Sequence, residues 1–189
     1  MSRRIIILIL LIAAAFAGGH WLTLEAIPRM IMAEAMERFE RGAGGVNAAL
    51  HPPPPSPERR GVVRPNPHFL YAICPIDLSD GPVRVTATPT QDYWSISFYS
   101  ARTDVFHVES GSRDRIEILA STSDQGDAID SIAAPTMRAV ALMRLFIADQ
   151  DDIPRLRQTQ RGFECEATAT EQASTGQPTT ASAASSTSE

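Results

Sequence analysis

The chain begins with a long apolar segment and continues with a mostly polar remainder. Ile5 to Leu24 is nearly uncharged and directly follows Arg3 and Arg4. At ~1.5 Å per helical residue such a segment reaches ~30 Å, the hydrocarbon thickness of a bilayer. Because the positively charged end of a membrane segment stays in the cytoplasm, the pattern predicts a single-pass anchor over residues 1–27. We expect the N-terminus to stay in the cytoplasm and the bulk of the chain to lie in an extracytoplasmic space.

A cleaved signal peptide is the alternative interpretation of this segment. Its strictly apolar part ends at Ala17 in an A-x-A-like sequence, as signal peptidase sites do. Trp21 and Leu22 carry the apolar character further, and tryptophan favours the membrane boundary. A twin-arginine signal fits less well because very few residues precede the apolar run. Each alternative exports the rest of the chain.

Two segments are predicted between the anchor and the folded domain. Over residues 28–42 apolar side chains recur at helical spacing and Glu34 precedes Arg38 by four positions, which predicts an amphipathic juxtamembrane helix. Its apolar face could meet lipid, a partner or the domain, and an exposed continuation of the anchor helix fits equally. Residues 43–61 are rich in glycine and proline, which predicts a linker. The proline run would act as an extended spacer of ~20 Å.

Alternating apolar and polar positions continue over residues 62–166. They predict a small antiparallel β-sheet domain, so that the chain is mainly β within an α+β class. Asp151 to Arg161, with Pro154 early and Gly162 after it, predicts a short C-terminal helix. The predicted strands are Phe69 to Ile73, Val83 to Thr88, Trp94 to Tyr99, Val105 to Glu109 and Arg115 to Leu119.

Periodicity leaves one segment undecided and predicts disorder in another. Met137 to Ala148 fits a helix through Val140, Ala141 and Leu145, and fits a strand equally well through alternate positions. Residues 167–189 consist largely of serine, threonine and alanine without apolar periodicity, which predicts a disordered tail.

The charge balance narrows the classes of partner. The chain has 17 basic residues, all arginine, and 22 acidic ones, for a net charge of −5. Without Arg3 and Arg4 the exported part carries −7. A negative surface repels phosphate backbones and the chain has no basic stripe, so nucleic-acid binding is not expected.

Cys74 and Cys165 lie at opposite ends of the predicted domain. An oxidising compartment permits the two thiols to pair, and we predict a disulfide between them. The alternative is two free thiols, with Cys74 buried and Cys165 in a loose tail.

Sequence patterns for catalysis are missing. No G-x-S-x-G elbow, G-x-G-x-x-G motif or P-loop occurs. Three aspartates do not match a calcium loop: Asp124, Asp127 and Asp130. Four histidines lack metal-ligand spacing: His20, His51, His68 and His107. We expect no catalytic residue, no metal and no cofactor.

The densest group of aromatic and polar residues is a candidate binding recess. Such a group could provide aromatic walls and a charged pair. The alternative is structural, with Trp94 in the core, Asp77 capping a turn and Arg102 paired to Asp104 on the surface. The candidate residues are Tyr71, Asp77, Trp94, Tyr99, Arg102 and Asp104.

Several motifs in residues 66–106 follow one another in a recognisable order. An Asp-Leu-x-x-Gly-Pro turn at Asp77 to Pro82 precedes an aromatic strand within Asp92 to Tyr99, and Thr103 to Phe106 follows. Together with Asn66 and Tyr71, this region resembles an uncharacterised bacterial family, the domain of unknown function numbered 1254.

The resemblance implies a β-rich fold and favours a strand for Met137 to Ala148. The region of Gly18 to His20 and Pro28 is similar to the retained anchor of short alphaproteobacterial members, which favours retention over cleavage. The family has no established reaction or ligand to carry over. Ser100 stands where larger members have an acidic residue, so that a role for this acid is in doubt here.

The resemblance also implies a partner. Larger members continue into a second domain of a companion family, numbered 1214, which this chain is too short to contain. We therefore expect a separate protein to supply that domain and to dock here.

Two classes of function remain. The first is a membrane-tethered envelope domain that binds a companion protein and catalyses nothing. The second is a subunit of a small-molecule-binding or hydrolytic assembly whose site is shared between chains. The missing catalytic patterns favour the first.

Overall fold

A long N-terminal helix precedes two four-stranded sheets in this computed structural model, which describes residues 3–56, 65–123 and 130–168. The last part of the predicted linker and nearly all of the predicted tail lie outside these ranges, as do Asp124 and Asp127. The elements are α1 (Arg3–Ala43), β1 (Phe69–Asp77), β2 (Val83–Ala87), β3 (Trp94–Ser100), β4 (Val105–Ser110), β5 (Ile116–Ser121), β6 (Ser131–Ala133), β7 (Arg138–Phe146), a short 3-10 helix (Gln150–Asp152), α2 (Ile153–Arg161) and β8 (Glu164–Ala167).

The two sheets differ in strand order. The first sheet has the order β1-β7-β3-β4, and all of its pairs are antiparallel. The second has the order β6-β5-β2-β8, and its β5–β6 pair is parallel. The predicted class, mainly β with a long N-terminal and a short C-terminal helix, is confirmed.

Side chains from both sheets meet in one apolar core. Since successive strand residues point to opposite faces, every second residue of β1 from Leu70 to Ile76 is turned to the core and fully buried. The opposing sheet contributes Val83, Val85, Ile116 and Ile118, all at most 1% exposed. The largest fully buried side chains include Trp94, Phe98 and Phe163.

The undecided segment Met137 to Ala148 forms strand β7. Arg138–Phe146 pairs with β1 on one side and with β3 on the other. Its inward residues, among them Met143 and Leu145, are fully buried. Tertiary pairing on both sides therefore decides what periodicity left open, in agreement with the family resemblance.

The two predicted N-terminal helices form one continuous helix in the structure. Pro28 lies inside α1 instead of starting a new helix. Proline costs the hydrogen bond that its N–H would donate to the carbonyl of Leu24. Packing offsets this loss, because Met32 and Met36 are buried against Ile73 and Val140 of the first sheet. Burying such a side chain contributes about 1.5–3 kcal/mol.

The end of α1 is attached to the domain. The N–H groups of Gly44, whose φ is 84°, and Gly45 both donate to the carbonyl of Glu40 at 2.9 Å and close the helix. The Glu40 carboxylate pairs with Arg138 at the start of β7. The helix therefore leads directly into the sheet.

The described part of the predicted spacer lies against the edge of β1. Leu50 N donates to Ile73 O at 2.7 Å, and Ile73 N donates to Leu50 O at 3.0 Å. Residues 46–56 thus cover an edge that would otherwise expose unpaired backbone groups. This part of the linker does not hold the domain at a distance, because its backbone pairs with the sheet.

Gln160 of α2 hydrogen-bonds to residues 46–56 from the buried side of this segment. Its side chain is fully buried, and Nε2 donates to Pro52 O at 2.8 Å and to Tyr71 O at 2.6 Å. Since both neighbours are carbonyl oxygens, the nitrogen must face them. One amide therefore joins the proline segment, β1 and α2.

An ion pair links the start of α2 to the corner between β2 and β3. Arg155 Nη1 lies 2.6 Å from Asp92 Oδ2. The hydrogen bond from Arg155 lowers the pKa of the Asp92 carboxyl, so that it stays ionised. Leu156, one residue further, is fully buried in the core.

The predicted disulfide between Cys74 and Cys165 is confirmed. Cys74 is on β1 and Cys165 on β8, so the bridge connects edge strands of the two different sheets. Their Cα atoms are 6.4 Å apart, within the range that a disulfide spans.

Replacing both cysteines by alanine should lower the free energy of unfolding by about 4 kcal/mol, because the bridge closes a loop of 91 residues. Urea unfolding of the oxidised, reduced and double-alanine proteins measures this. The reduced protein is the control and should resemble the alanine variant. Equal midpoints for the oxidised and reduced proteins would contradict a stabilising bridge.

Gln160→Met should destabilise the domain by about 2–3 kcal/mol, because two buried carbonyl groups lose their donor. Gln158→Met on the exposed side of the same helix is the matched control. Urea midpoints give the stability, and proteolysis near Pro52 reports whether the segment detaches. Equal midpoints for the two variants would show that the Gln160 hydrogen bonds contribute nothing.

Candidate functional site

The six residues of the predicted recess lie in different parts of the fold. Trp94 is 2% exposed and belongs to the core between the sheets. Tyr99, five positions along the same strand, points to the opposite face because strand side chains alternate. The structure therefore does not bring Trp94 and Tyr99 into one recess.

Asp77 closes a turn. Its Oδ1 accepts hydrogen bonds from Ser79 N at 2.9 Å and from Ser79 Oγ at 2.5 Å. The backbone of Asp77 is paired with the side chain of Asn47, which donates through Nδ2 at 2.9 Å and accepts at 2.8 Å. Asp77 Oδ2 also lies 3.9 Å from Arg138 Nε. These contacts give Asp77 a structural role.

Asp104 and Arg102 belong to the turn between β3 and β4. The carbonyl of Asp104 accepts from Ser100 N at 2.8 Å, which closes the turn. The Arg102 side chain has no ion-pair partner among the described residues, so the expected Arg102–Asp104 pair is not formed.

Tyr71 and Tyr99 both lie on the outer face of the first sheet, the face turned away from the core. The helix α1 covers one part of this face, where Met36 packs on Val140 and Tyr99. The remaining part lies toward the start of β1 and the end of β7. Its side chains form what we call the aromatic-arginine face: Phe69, Tyr71, Tyr93, Arg144 and Phe146.

Arg144 lies at the centre of the aromatic-arginine face. It is directly opposite Tyr71 on β1 and Ser95 on β3. Its Nη1 donates to Ser97 Oγ at 3.1 Å and its Nη2 to Tyr99 Oη at 2.5 Å. Both partners are neutral hydroxyl groups, and within the described ranges no carboxylate pairs with Arg144. A half-buried guanidinium that has no carboxylate partner can donate hydrogen bonds to a carboxylate of another molecule.

Aromatic rings cluster around Phe69 on the same face. The ring of Phe69 lies 5.6 Å from that of Phe146, 6.3 Å from that of Tyr93 and 6.5 Å from that of Tyr71, centre to centre. Tyr93 is 61% exposed and Phe146 is 37% exposed. Exposed aromatic side chains beside an arginine are the residue types that dominate protein interfaces.

Of these five residues, only Tyr71 is among the candidates predicted from the sequence. Tyr71 was a candidate through its aromatic ring and the family motif. Arg144 and Phe146 lie in the segment whose secondary structure periodicity left open, so their shared face was not visible. Phe69 was recognised only as a strand residue.

Groups of three metal ligands and His–carboxylate pairs are the arrangements that metal binding or acid–base chemistry would use. Within residues 3–56, 65–123 and 130–168, no three His, Cys, Asp or Glu side chains are grouped as metal ligands. His107 has a carboxylate neighbour, Glu109, at 3.7 Å, on strand β4. Hydrogen bonding to Asp130 raises the pKa of Arg113, which leaves it a fixed cation.

α1 also carries a segment that can cross a membrane. It is long and apolar enough by length and composition, and none of its most apolar stretch is buried against the domain. A signal sequence near an N-terminus passes the same test. The disulfide adds to this picture, since such bonds are typical of oxidising compartments.

The fold is similar to that of one solved protein, and a second solved protein matches less well. The VPA0106 protein of Vibrio parahaemolyticus is 13% identical, with a TM-score of 0.53, and the match covers 72% of this chain and 35% of that one. An uncharacterised protein from Burkholderia cenocepacia is 14% identical, with a TM-score of 0.44, over 84% of this chain and 44% of that one. The match thus covers less than half the length of either protein. No curated protein matches it.

The sequence of most of the folded domain matches a protein-family model. The model described as "Protein of unknown function (DUF1254)" matches residues 46–167. The matched range begins in the segment that covers β1 and ends in β8, and it contains both sheets and the turn at Asp77 to Pro82. Because the match spans more than half of the sequence, the chain belongs to the DUF1254 family.

Proposed function

We propose that this protein is a non-catalytic, membrane-anchored interaction domain of the bacterial envelope that binds a companion protein through its aromatic-arginine face. One observation carries the proposal: Arg144 has hydroxyl partners but no carboxylate in the described chain, and it lies on the same sheet face as the exposed rings of Tyr93 and Phe146. Desolvated arginine and aromatic anchors are the usual centres of binding energy in protein interfaces.

The membrane location rests on α1 and on the disulfide. The apolar part of α1 is exposed and long enough to span a bilayer, and a bridged cysteine pair fits an oxidising space. With Arg3 and Arg4 in the cytoplasm, the domain lies in the periplasm next to the inner membrane. The protein is then a short, anchored member of the alphaproteobacterial type.

The resemblance to larger family members supports a companion. The solved protein with the similar fold is almost three times as long as the matched part, since the match covers 35% of it. The companion is a separate protein carrying the domain of the family numbered 1214. Docking would place that domain beside this one, as the larger family members do within a single chain.

The chemistry of the face limits what can dock there. A suitable partner presents a carboxylate to Arg144 and an apolar side chain to the ring cluster of Phe69 and Phe146. Such a charge-assisted pair is stronger than a neutral hydrogen bond and adds orientation. The partner's acidic residue would also be protected from water by the surrounding rings.

A second candidate function uses the same arginine. The guanidinium of Arg144 together with the hydroxyl groups of Ser97 and Tyr99 could orient a small carboxylate ligand. In this case the companion would complete the site, as in a small-molecule-binding or hydrolytic assembly shared between chains. Partner binding would then depend on the ligand.

Arg144→Gln should weaken binding of the purified companion-domain protein from the same genome by roughly 10- to 100-fold, because interface anchors contribute about 2 kcal/mol or more. Arg115→Gln is the matched control, since this arginine is 72% exposed in its side chain and precedes β5 of the other sheet. Biolayer interferometry with the full chain in detergent gives both dissociation constants.

Phe146→Ser should weaken binding as well, without removing a charge. Thermal unfolding of each variant controls for folding. The proposal is refuted if the companion does not bind the wild-type protein, or if Arg144→Gln and Arg115→Gln bind equally well. Binding that appears only with an added carboxylate ligand would favour the second candidate function.

Deleting residues 3–24 from a chain exported by a cleavable leader should release the domain into the soluble periplasmic fraction. The intact chain should resist extraction by carbonate, because ~20 apolar residues suffice to hold a helix in a bilayer. Immunoblotting of membrane and soluble fractions measures both. An alkaline phosphatase fusion at Thr168 should be active, and an inactive fusion or a soluble intact chain would contradict the proposed location.

A further inference from the structure

A cavity lies between α1 and the tip of the first sheet, away from the aromatic-arginine face. Its volume is about 340 Å³. Arginine side chains approach it from three different elements, and small or apolar side chains complete much of its wall. The wall includes Arg29, Ala33 and Met36 of α1, Ala101 and Arg102 of the turn between β3 and β4, and Arg138 of β7.

The three arginines differ in their partners. Arg29 pairs with Glu25 one turn earlier in α1. Arg138 pairs with Glu40 and lies 3.9 Å from Asp77. Arg102 has no side-chain partner in the described chain, and it is exposed. The cavity therefore has one cation without a carboxylate and two more guanidinium groups that can each offer further N–H donors.

Backbone contacts hold Arg102 in position. Thr103, the next residue, has φ of 72°, a conformation that a β-branched residue rarely adopts. Arg102 N donates to Ser100 Oγ at 3.1 Å, and Ala101 N donates to Thr136 Oγ1 at 3.0 Å. The turn is thus fixed to the start of β7, and it presents a free guanidinium at the cavity.

In the proposed membrane location, the near end of the cavity, at Arg29, lies beside the layer of lipid headgroups. Arg29 follows Leu24, the last residue of the apolar run, by five positions, which is ~7.5 Å along a helix. The headgroup layer on each side of a bilayer is roughly 5–7 Å thick. Helical side chains lean toward the N-terminus, here toward the membrane. Met30 of α1 and Met137, next to Thr136, are also exposed, by 70% and 49%.

We infer that this cavity binds the phosphate-bearing headgroup of an anionic membrane phospholipid, with Arg102 as the principal contact. Guanidinium groups bind phosphate through charge-assisted hydrogen bonds, and basic cavities beside membrane helices suit such headgroups. Ala33 and Met36 lie farther from the membrane segment than Arg29 and would border the outer end of the headgroup, while the glycerol and acyl chains, which free phosphate lacks, would extend past Arg29 toward the bilayer. The inference rests on the membrane location in the proposed function, but not on the companion protein.

Native mass spectrometry of the full chain in detergent tests the inference. Phosphatidylglycerol and phosphatidylcholine are added at equal concentration, and retained lipid is counted. The wild-type protein should retain phosphatidylglycerol preferentially. Arg102→Gln should reduce this retention roughly tenfold, as expected for the loss of one charge-assisted hydrogen bond. Arg115→Gln, at an exposed arginine outside the cavity, should behave as wild type.

Ala33→Phe provides a second test that leaves every charge in place. Ala33 is exposed on α1, so a larger side chain fills the cavity without entering the core. This variant should also lose phosphatidylglycerol retention, and melting temperatures confirm that the variants fold.

Three outcomes would overturn the inference. These are equal retention of the two lipids, equal behaviour of Arg102→Gln and Arg115→Gln, and complete displacement of phosphatidylglycerol by inorganic phosphate, which would indicate a site for the free ion. A chain that fractionates as soluble refutes the proposed location instead. A membrane-bound chain that binds its companion but shows no lipid preference refutes only the headgroup site.

Discussion

The alternation of side chains along strand β7 determines which of its residues fill the core and which contact α1 or form the aromatic-arginine face. β7 lies between β1 and β3, so its inward residues must fill the core. Each outward residue then serves a different contact. Arg138 holds the end of α1 through Glu40, Val140 supports Met32 and Met36, and Arg144 lies in the aromatic-arginine face with Phe146. A shift of register by one residue would exchange core and surface and remove all of these contacts together.

The continuity of α1 gives the two proposed surfaces different surroundings. The helix crosses Pro28 without ending and packs on the sheet, so its apolar N-terminal segment is continuous with the part that contacts the domain. Arg138 and Phe146 are eight residues apart on β7, which is ~26 Å at ~3.3 Å per residue. The cavity lies beside Arg138, and the aromatic-arginine face lies toward the other end of this strand. The two surfaces are therefore separate.

Local patterns in the sequence predicted much of this fold, but not the site. The strands around Val85 and Ile96 and the helix before Gly162 follow from alternation, helical spacing and turn residues. The disulfide followed from two cysteines and an expected oxidising compartment. The pairing of residues 46–56 with β1 could not be predicted, because its hydrogen bonds come from Leu50 and from Gln160, which lies more than a hundred residues away.

The candidate site escaped prediction for the same kind of reason. Arg144 is a candidate site residue because no carboxylate pairs with it in the described chain. Its surroundings are set by side chains from β1, β3 and β7, which are distant in the sequence. The six candidate residues are close to one another in the sequence. Strand alternation nevertheless places Trp94 and Tyr99 on opposite faces of the sheet. Only the resemblance to the family favoured a strand for the segment that contains Arg144, and it carried no information on that residue's partners.

The two edges of the first sheet differ in whether another part of the chain covers them. This difference affects where a partner could bind. The edge at β1 is covered by the chain itself through Leu50, whereas β4 forms the other end of the sheet. On β4, Val105 and Val108 are 51% and 55% exposed. A register shift near Phe98 twists this edge, which limits pairing between identical chains. Val108 lies opposite Ser97, in the row next to Arg144, so a protein seated on the aromatic-arginine face would also cover these valines.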